Sequence, residues 1–175
     1  QLNTAIAALR AAIANQAAAT NDVSGSAGMS YGAINNAHAK FGDASATTLN
    51  QSLHIDAPNA VIRSLATFSG VGGLVNDQRL VLSDGLGLPV GVLSNGVLDV
   101  GSDDLDGGIG SVELSSLTQE SGGVLTIDIN GLGAGQFDSL LVNNNAVLDG
   151  TLEVNLLGLF TPVLGNSWTI LTTSL

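Results

Sequence analysis

The first twenty residues carry apolar side chains at helical spacing. Leu2, Ile6, Leu9 and Ile13 follow one another at intervals of four, three and four positions, which places them on one face of a helix. Alanines widen this face, and alanine has the highest helix propensity. The pattern therefore predicts an N-terminal helix over 1–20. Its narrow apolar stripe needs a partner, either the chain's own β domain or copies of the same helix, so these four residues are a candidate self-association surface.

The pattern changes after this segment. Residues 21–47 are rich in Gly, Ser and Asn and predict a loop that contains a short helix over 33–41. From residue 48 onward, apolar and polar residues alternate in short runs, such as the one around His54, and turn residues interrupt them. Alternation with a period of two is typical of β-strands. We therefore expect a β domain over 48–175.

Turn sequences recur through this β domain at irregular intervals. Ser-Asp-Gly at 83–85 and Ser-Asn-Gly at 94–96 are two examples, and such residues accept the positive φ of tight turns. Repeated units of a short strand and a turn are typical of a β-solenoid or β-helix, with a β-sandwich or jelly roll as the alternative. Because only 3% of the residues are aromatic and the apolar ones are small and aliphatic, the stacked layers of a solenoid are favoured. The fold prediction is a mainly β protein with an N-terminal Ala-rich α-helix.

Two runs near the C-terminus, 124–129 and 151–156, show the clearest alternation. Thr126, Asp128 and Glu153 take the outward positions. A shift of either strand by one residue would bury a carboxylate, so the pattern predicts a well-specified register. The predicted inward positions are Leu125, Ile127, Ile129, Leu152, Val154 and Leu156.

Charge and composition exclude several classes of function. The chain has 4 Lys and Arg against 15 Asp and Glu, and its formal net charge is −11. This excess opposes binding to nucleic acid and to anionic membrane surfaces. With no cysteine, disulfides and Cys-bound metals are excluded, and no apolar run reaches the roughly 18–20 residues of a membrane span. The acidic, Gly- and Asn-rich composition predicts an extracellular protein, and the start at Gln1 suggests a processed or trimmed chain.

The segment 122–171 contains spaced apolar positions in the runs Gly123-x-Leu125-x-Ile127-x-Ile129, Phe137-Asp138-x-Leu140-x-Val142 and Trp168-x-Ile170-Leu171. With these positions it resembles the β-helical closing segment of autotransporter passengers and large bacterial adhesins. It is also similar to the segment that precedes the sorting signal of PEP-CTERM surface proteins. The resemblance implies a secreted or surface structural protein without catalytic residues. The chain departs from the family pattern at Asn143, Asn144 and Asn145, and at Leu159, where glycine is usual. The matching positions are Gly123, Leu125, Ile127, Ile129, Phe137, Asp138, Leu140, Val142, Ala146, Leu148, Gly150, Thr151, Leu152, Val154, Leu156, Phe160, Pro162, Gly165, Trp168, Ile170 and Leu171.

Two features of this segment have a direct physical interpretation. Asp138 is expected to lie in a turn and to accept hydrogen bonds from nearby backbone N–H groups. Phe160, Pro162 and Trp168 are expected to cover the end of the solenoid, because an uncovered end would expose unpaired strand edges. An incomplete cover would promote end-to-end stacking.

One acidic loop is a candidate calcium site. Asp103, Asp104 and Asp106 lie within four residues and are flanked by glycines. Calcium prefers six to eight oxygen ligands from carboxylates and backbone carbonyls of flexible loops. The spacing differs from that of an EF-hand loop, so a solvated acidic turn is the alternative. Calcium is the only cofactor that the sequence suggests.

The sequence contains no arrangement of catalytic residues that we can identify. His38 and His54 are far apart and are expected to lie on the surface, and no nucleophile elbow or phosphate-binding loop is present. The favoured function is therefore a non-enzymatic extracellular structural protein, a subunit that assembles with copies of itself into a filament, sheath, surface layer or biofilm matrix. The alternative is an adhesin passenger or a phage tail-fibre-type module that binds a glycan or cell-surface receptor.

Overall fold

A computed structural model describes residues 20–23, 26–29, 32–34, 38–41, 46–49, 52–101 and 108–174. Within these residues the protein is mainly β, as predicted, and contains no helix. No segment there is a helix that is long and apolar enough to cross a membrane. The strands are β1 (Thr20–Val23), β2 (Ser26–Met29), β3 (Gly32–Ile34), β4 (His38–Phe41), β5 (Ala46–Leu49), β6 (Leu53–Ile55), β7 (Ala60–Ile62), β8 (Thr67–Gly70), β9 (Leu74–Asn76), β10 (Arg79–Ser83), β11 (Gly87–Ser94), β12 (Val97–Gly101), β13 (Ser111–Gln119), β14 (Val124–Ile129), β15 (Ser139–Val142), β16 (Ala146–Val147), β17 (Thr151–Leu156) and β18 (Leu171–Thr173).

The strands form three parallel sheets. The first sheet has the order β1-β4-β7-β10-β12-β14-β17, and the second has the order β3-β6-β9-β11-β13-β15-β18, with β16 also paired to β13. The third sheet, β2-β5-β8, covers only the early coils. The chain visits each sheet in turn and returns one coil later to pair in parallel with its own earlier strand. This winding fits the predicted β-solenoid, whereas sandwiches and jelly rolls have antiparallel sheets.

Equivalent residues of successive coils stack in columns. Ala60 pairs with Leu80, Leu80 with Leu98, Leu98 with Leu125, and Leu125 with Leu152. The first four side chains of this column are at most 3% exposed. Short aliphatic residues at the same position of these successive coils pack against one another in the narrow interior, which explains why this part of the core is aliphatic.

The interior also contains one aromatic pair. Phe41 and Phe68 are buried, and their ring centroids lie 5.3 Å apart with a tilt of 57°. Such a tilted contact is favoured over a face-to-face stack. It joins β4 of the first sheet to β8 of the third across the inside of the solenoid.

The central strands β7, β10, β12 and β14 of the first sheet are buried on both faces, contrary to the prediction for β14. Thr126 and Asp128 were predicted to face solvent, but they are 7% and 2% exposed. Val81 and Asp99, on the neighbouring strands, are buried in the same way. Sheets of parallel strands are commonly covered on both sides, and the buried Asp99 and Asp128 have hydrogen-bond partners that make their burial tolerable.

The N-terminal boundary of the β structure differs from the prediction. Strands begin at Thr20, well before residue 48, and β2, β3 and β4 occupy parts of the segment for which a loop was expected. The predicted short helix over 33–41 is wrong for Gly32–Ile34 and His38–Phe41, which are strands. These strands have three or four residues each, too few to show alternation. The predicted helix over 1–20 lies outside the described residues, except for Thr20 itself, which begins β1.

Candidate functional site

The C-terminal end of the solenoid is open at β17. This strand pairs with β14 along one edge, and among the described residues no strand pairs with its other edge. Leu152, Val154 and Leu156 continue the interior columns, as predicted for inward positions, but they are 51%, 46% and 48% exposed. The prediction that they are buried is therefore wrong for this structure, because no further described coil covers them.

Exposed apolar side chains concentrate at this end. Among the described residues, eleven large hydrophobic side chains are exposed, and eight of them lie at or after Val147. Patches of this kind on a protein surface mark interaction sites. The eight are Val147, Leu148, Leu152, Val154, Leu156, Leu159, Val163 and Leu164.

The segment between β17 and β18 covers the end only in part. Phe160 and Trp168 pack against the core, with ring centroids 6.1 Å apart in an edge-to-face contact. The Trp168 indole Nε1 donates a 2.7 Å hydrogen bond to the Gly131 carbonyl oxygen. These two residues thus act as predicted, whereas Pro162 is exposed and Leu159 projects fully into solvent.

A cavity of about 380 Å³ opens beside β17. Its wall is mostly apolar, with Leu125, Leu148, Leu152 and Ile170 among the lining residues. Gln119 lies at its polar side, where its Nε2 donates to the carbonyl oxygens of neighbouring turns, at 2.6 Å for Asp149. The cavity is shaped to receive an apolar side chain, and nothing in its lining has the paired acid and base of an active site.

An ion pair joins two coils on the outer face of the first sheet. Arg79 on β10 donates through Nη2 to Asp99 Oδ2 on β12, at 2.5 Å. Burial raises the pKa of Asp99, and the bond from Arg79 offsets part of this effect. The pair is mostly shielded from solvent, so we interpret it as a cross-link between adjacent coils.

Among the described residues, Asp138 is the most deeply buried carboxylate, with no exposed surface. It accepts backbone hydrogen bonds from the Asp128 N–H at 2.6 Å and the Gly110 N–H at 2.8 Å. Loss of hydration raises its pKa to about 7, and the nearby charges of Asp128 and Asp99 act in the same direction. The bond from Gly110, 28 positions away, connects two coils, whereas Asp128 is 10 positions away and lies on the same coil as Asp138.

Asp128 makes a second set of links of the same kind. Its Oδ2 accepts from the Gly108 N–H at 2.9 Å, and its Oδ1 accepts from the Asn155 amide at 3.1 Å. Asp128 and Asp138 together therefore connect Gly108 and Gly110 to β14 and β17. Each carboxylate oxygen named here is occupied by a donor of the protein, which indicates a structural role.

The structure leaves the predicted metal and self-association residues untested. Asp103, Asp104 and Asp106 lie outside the described residues, as do Leu2, Ile6, Leu9 and Ile13. Within the part of the chain that is described, no three His, Cys, Asp or Glu side chains are grouped to hold a metal ion.

His54 is exposed on β6, as predicted, while His38 lies on β4. The Nδ1 of His54 lies 2.9 Å from Asp77 Oδ2. The pKa of Asp77 is lowered: desolvation opposes the shift, but bonds from Asn95 and His54 outweigh it. This contact is a surface interaction between coils.

The first part of the chain is similar to a known family. Residues 1–67 match the family model described as Gp13-like, major capsid protein 13-like. The match covers under half of the 175 residues and ends at the start of β8. No curated protein and no solved structure matches the chain significantly. The family match is compatible with a structural subunit but is not specific to a filament, sheath or surface layer.

Proposed function

We propose that the protein is a non-enzymatic structural subunit that assembles with copies of itself into a filament, sheath or surface layer outside the cell. The observation that carries this proposal is the open, apolar end of the solenoid at β17. A strand edge with unpaired N–H and C=O groups is a template for another strand. Adjacent apolar side chains add a favourable free energy when such an edge is covered.

Two further observations support a structural role. The matched family is described as a major capsid protein, and a capsid is an assembly of protein copies. The buried carboxylates Asp99, Asp128 and Asp138 bond to groups that connect coils, which stabilises a scaffold. The extracellular location rests on composition and on the resemblance of residues 122–171 to adhesin and surface-protein segments, and it stays a prediction.

Light scattering and negative-stain electron microscopy of the purified chain test the proposal. We expect the mass per particle to rise with protein concentration and the micrographs to show regular assemblies. A monomer at every concentration would overturn self-assembly. Loss of the assemblies in EDTA would support a calcium contact at Asp103, Asp104 and Asp106, whereas unchanged assemblies would argue against one.

A binding module of the adhesin or phage tail-fibre type is the second candidate. The similarity of residues 1–67 to a major capsid protein family supports it, because a tail fibre and a capsid are both structural parts of a virus particle. Discrete monomers or trimers that bind a glycan array or whole cells would favour this alternative. A receptor or glycan partner is a prediction from the sequence alone.

A further inference from the structure

We infer that the free edge of β17 is the contact between two copies of this chain, which pair antiparallel across a two-fold axis at Val154. This inference rests on the proposed function, because it specifies which surface a self-assembling subunit uses. Three features support it: the direction of the backbone groups of β17, the order of residues along β17, and the residue types that β1 would place next to β17 in head-to-tail stacking.

The backbone of β17 presents alternate residues to its free edge. Thr151 N–H donates to the Gly123 carbonyl oxygen at 3.0 Å, and Leu157 N–H donates to that of Ile129 at 2.8 Å. Backbone groups of alternate residues point the same way along a strand. The odd-numbered residues therefore bond to β14, and the N–H and C=O groups of Leu152, Val154 and Leu156 point outward.

The side-chain order of β17 is symmetric about Val154. In an antiparallel register centred there, Val154 faces Val154 of the second copy, and Leu152 faces its Leu156. All of these residues are edge-facing, so each forms a hydrogen-bonded pair with its opposite residue. Glu153 faces Asn155, so no like charges meet. A register centred on Glu153 would instead place two carboxylates directly opposite, which is destabilising.

The same register covers the apolar surface at this end. Leu152 is one wall of the 380 Å³ cavity, and Leu156 of the second copy lies opposite Leu152. The interior columns of one solenoid then continue into those of the other. An isologous contact of this kind is self-complementary and closes as a dimer, which serves as the building unit of a larger assembly.

Head-to-tail stacking is less favourable because of charge. The paired registers from β1 to β17 place Asp22 in the same column as Glu153 and Asn21 in the column of Leu152. If β1 of another copy paired with β17 in this register, an acidic residue would occupy the position next to Glu153 and a polar residue the position next to Leu152. The antiparallel contact avoids both conflicts.

Cysteine cross-linking of the whole chain tests the contact and its register. The chain has no cysteine, so each single variant carries one thiol. In the inferred register, residue 154 of each copy lies about 5.5 Å from its counterpart between Cα atoms, within disulfide range. Residues 153 of the two copies lie diagonally, too far for an easy disulfide. We expect Val154→Cys to form a disulfide dimer at least about tenfold faster than Glu153→Cys.

The matched control is Val71→Cys, because Val71 is 94% exposed and distant in sequence from β17. Faster cross-linking of Glu153→Cys than of Val154→Cys would overturn the register. If the unmodified chain assembles but both β17 variants cross-link no faster than Val71→Cys, the inferred contact is wrong while self-assembly stands. If the unmodified chain stays monomeric at every concentration, both the contact and the proposed function are wrong.

A charge substitution gives an independent readout. Val154→Lys places two like charges opposite each other, so we expect dimerisation to weaken by about tenfold or more. Val71→Lys is the matched control and should leave dimerisation unchanged. Circular dichroism before and after dilution distinguishes loss of the contact from loss of the fold, and dimers that persist in folded Val154→Lys would contradict the inference.

Discussion

Asp138 makes the stability of the protein depend on pH. Its folded-state pKa is raised to about 7 by desolvation, from an ordinary value of 3.8. The folded state therefore holds this proton more tightly than the unfolded state, and stability falls as pH rises between these two values. We expect a loss on the order of a few kcal/mol from about pH 4 to about pH 7, measurable by urea unfolding at each pH.

Asparagine substitutions distinguish the contribution of Asp138 to the pH dependence of stability from the contributions of other groups. Asp138→Asn cannot titrate, so the fall in stability between these pH values should be reduced, and the buried Asp99, whose pKa is also raised, should account for part of what remains. The new amide nitrogen opposes one backbone donor and lowers stability overall. The control Asp84→Asn changes an exposed carboxylate and should leave the slope in place. An unchanged slope in Asp138→Asn would show that other groups carry the pH dependence. The local sequence around Asp138 predicted a polar turn but not this environment, because one of its two donors, Gly110, is 28 positions away.

Gly70 is a second residue whose identity is determined by its surroundings, because the backbone of Leu49 lies close to it. Its φ is +107°, and a Cβ built there would lie 2.0 Å from the Leu49 carbonyl oxygen of the preceding coil. Since backbone must move to relieve this clash, Gly70→Ala should cost about 2 kcal/mol or more in the free energy of unfolding. Gly87→Ala is the matched control, because its Cβ meets nothing within 4 Å. Equal thermal stability of the two variants would contradict the expectation.

At the level of the strand, one column shows how the position of a leucine along the solenoid determines its contribution to the free energy of unfolding. Leu98 on β12 is fully buried, whereas Leu152 on β17 is 51% exposed in the same column. We expect Leu98→Ala to lower the free energy of unfolding by about 2–5 kcal/mol. Leu152→Ala should lower it by less than about 1 kcal/mol in the monomer. Chemical denaturation at a concentration that keeps the chain monomeric compares the two, and equal losses would show that β17 is already covered.

The strands differ in how far their sequences predicted them. The strands β14 and β17 contain enough alternation and flanking turn residues to be recognised, and the turn at 83–85 forms with Gly85 at φ 73°. The short strands β2 to β4 have no such pattern, because three or four residues pair only through their neighbours in adjacent coils. Burial of Asp128 was also unpredictable, since its donors Gly108 and Asn155 lie on other coils.

At the scale of the whole molecule, the candidate site is defined by the position of β17 as the outermost described strand of the first sheet. The alternation of 151–156 resembles that of the buried run 124–129, so the sequence predicts an inward face for both. Only the stacking of coils shows that, among the described strands, β14 has neighbours on both sides while β17 has one. Phe160 and Trp168 pack against the core after β17, while their role as a cover of the solenoid end stays a prediction.

Because β17 pairs with a described strand on one side only, its amides are expected to exchange with solvent at different rates. In a solenoid each coil contacts only its neighbours, so the last coil opens at lower cost than the central ones. We expect amides of β10 and β12 to be the most protected, and β17 to show an alternating pattern in the monomer. Thr151, Glu153 and Asn155 donate toward β14 and should exchange slowly relative to Leu152, Val154 and Leu156.

Exchange measured by NMR at two protein concentrations turns this pattern into a test of assembly. If β17 edges pair as inferred, the three fast amides should become protected at high concentration, because each then donates to the second copy. The amides of β10 should show no comparable change, which makes them the internal reference. Uniform exchange along β17 at low concentration would contradict the one-sided pairing of this strand. Fast exchange of Val154 at high concentration, in a sample that light scattering shows to be assembled, would place the contact elsewhere on the molecule.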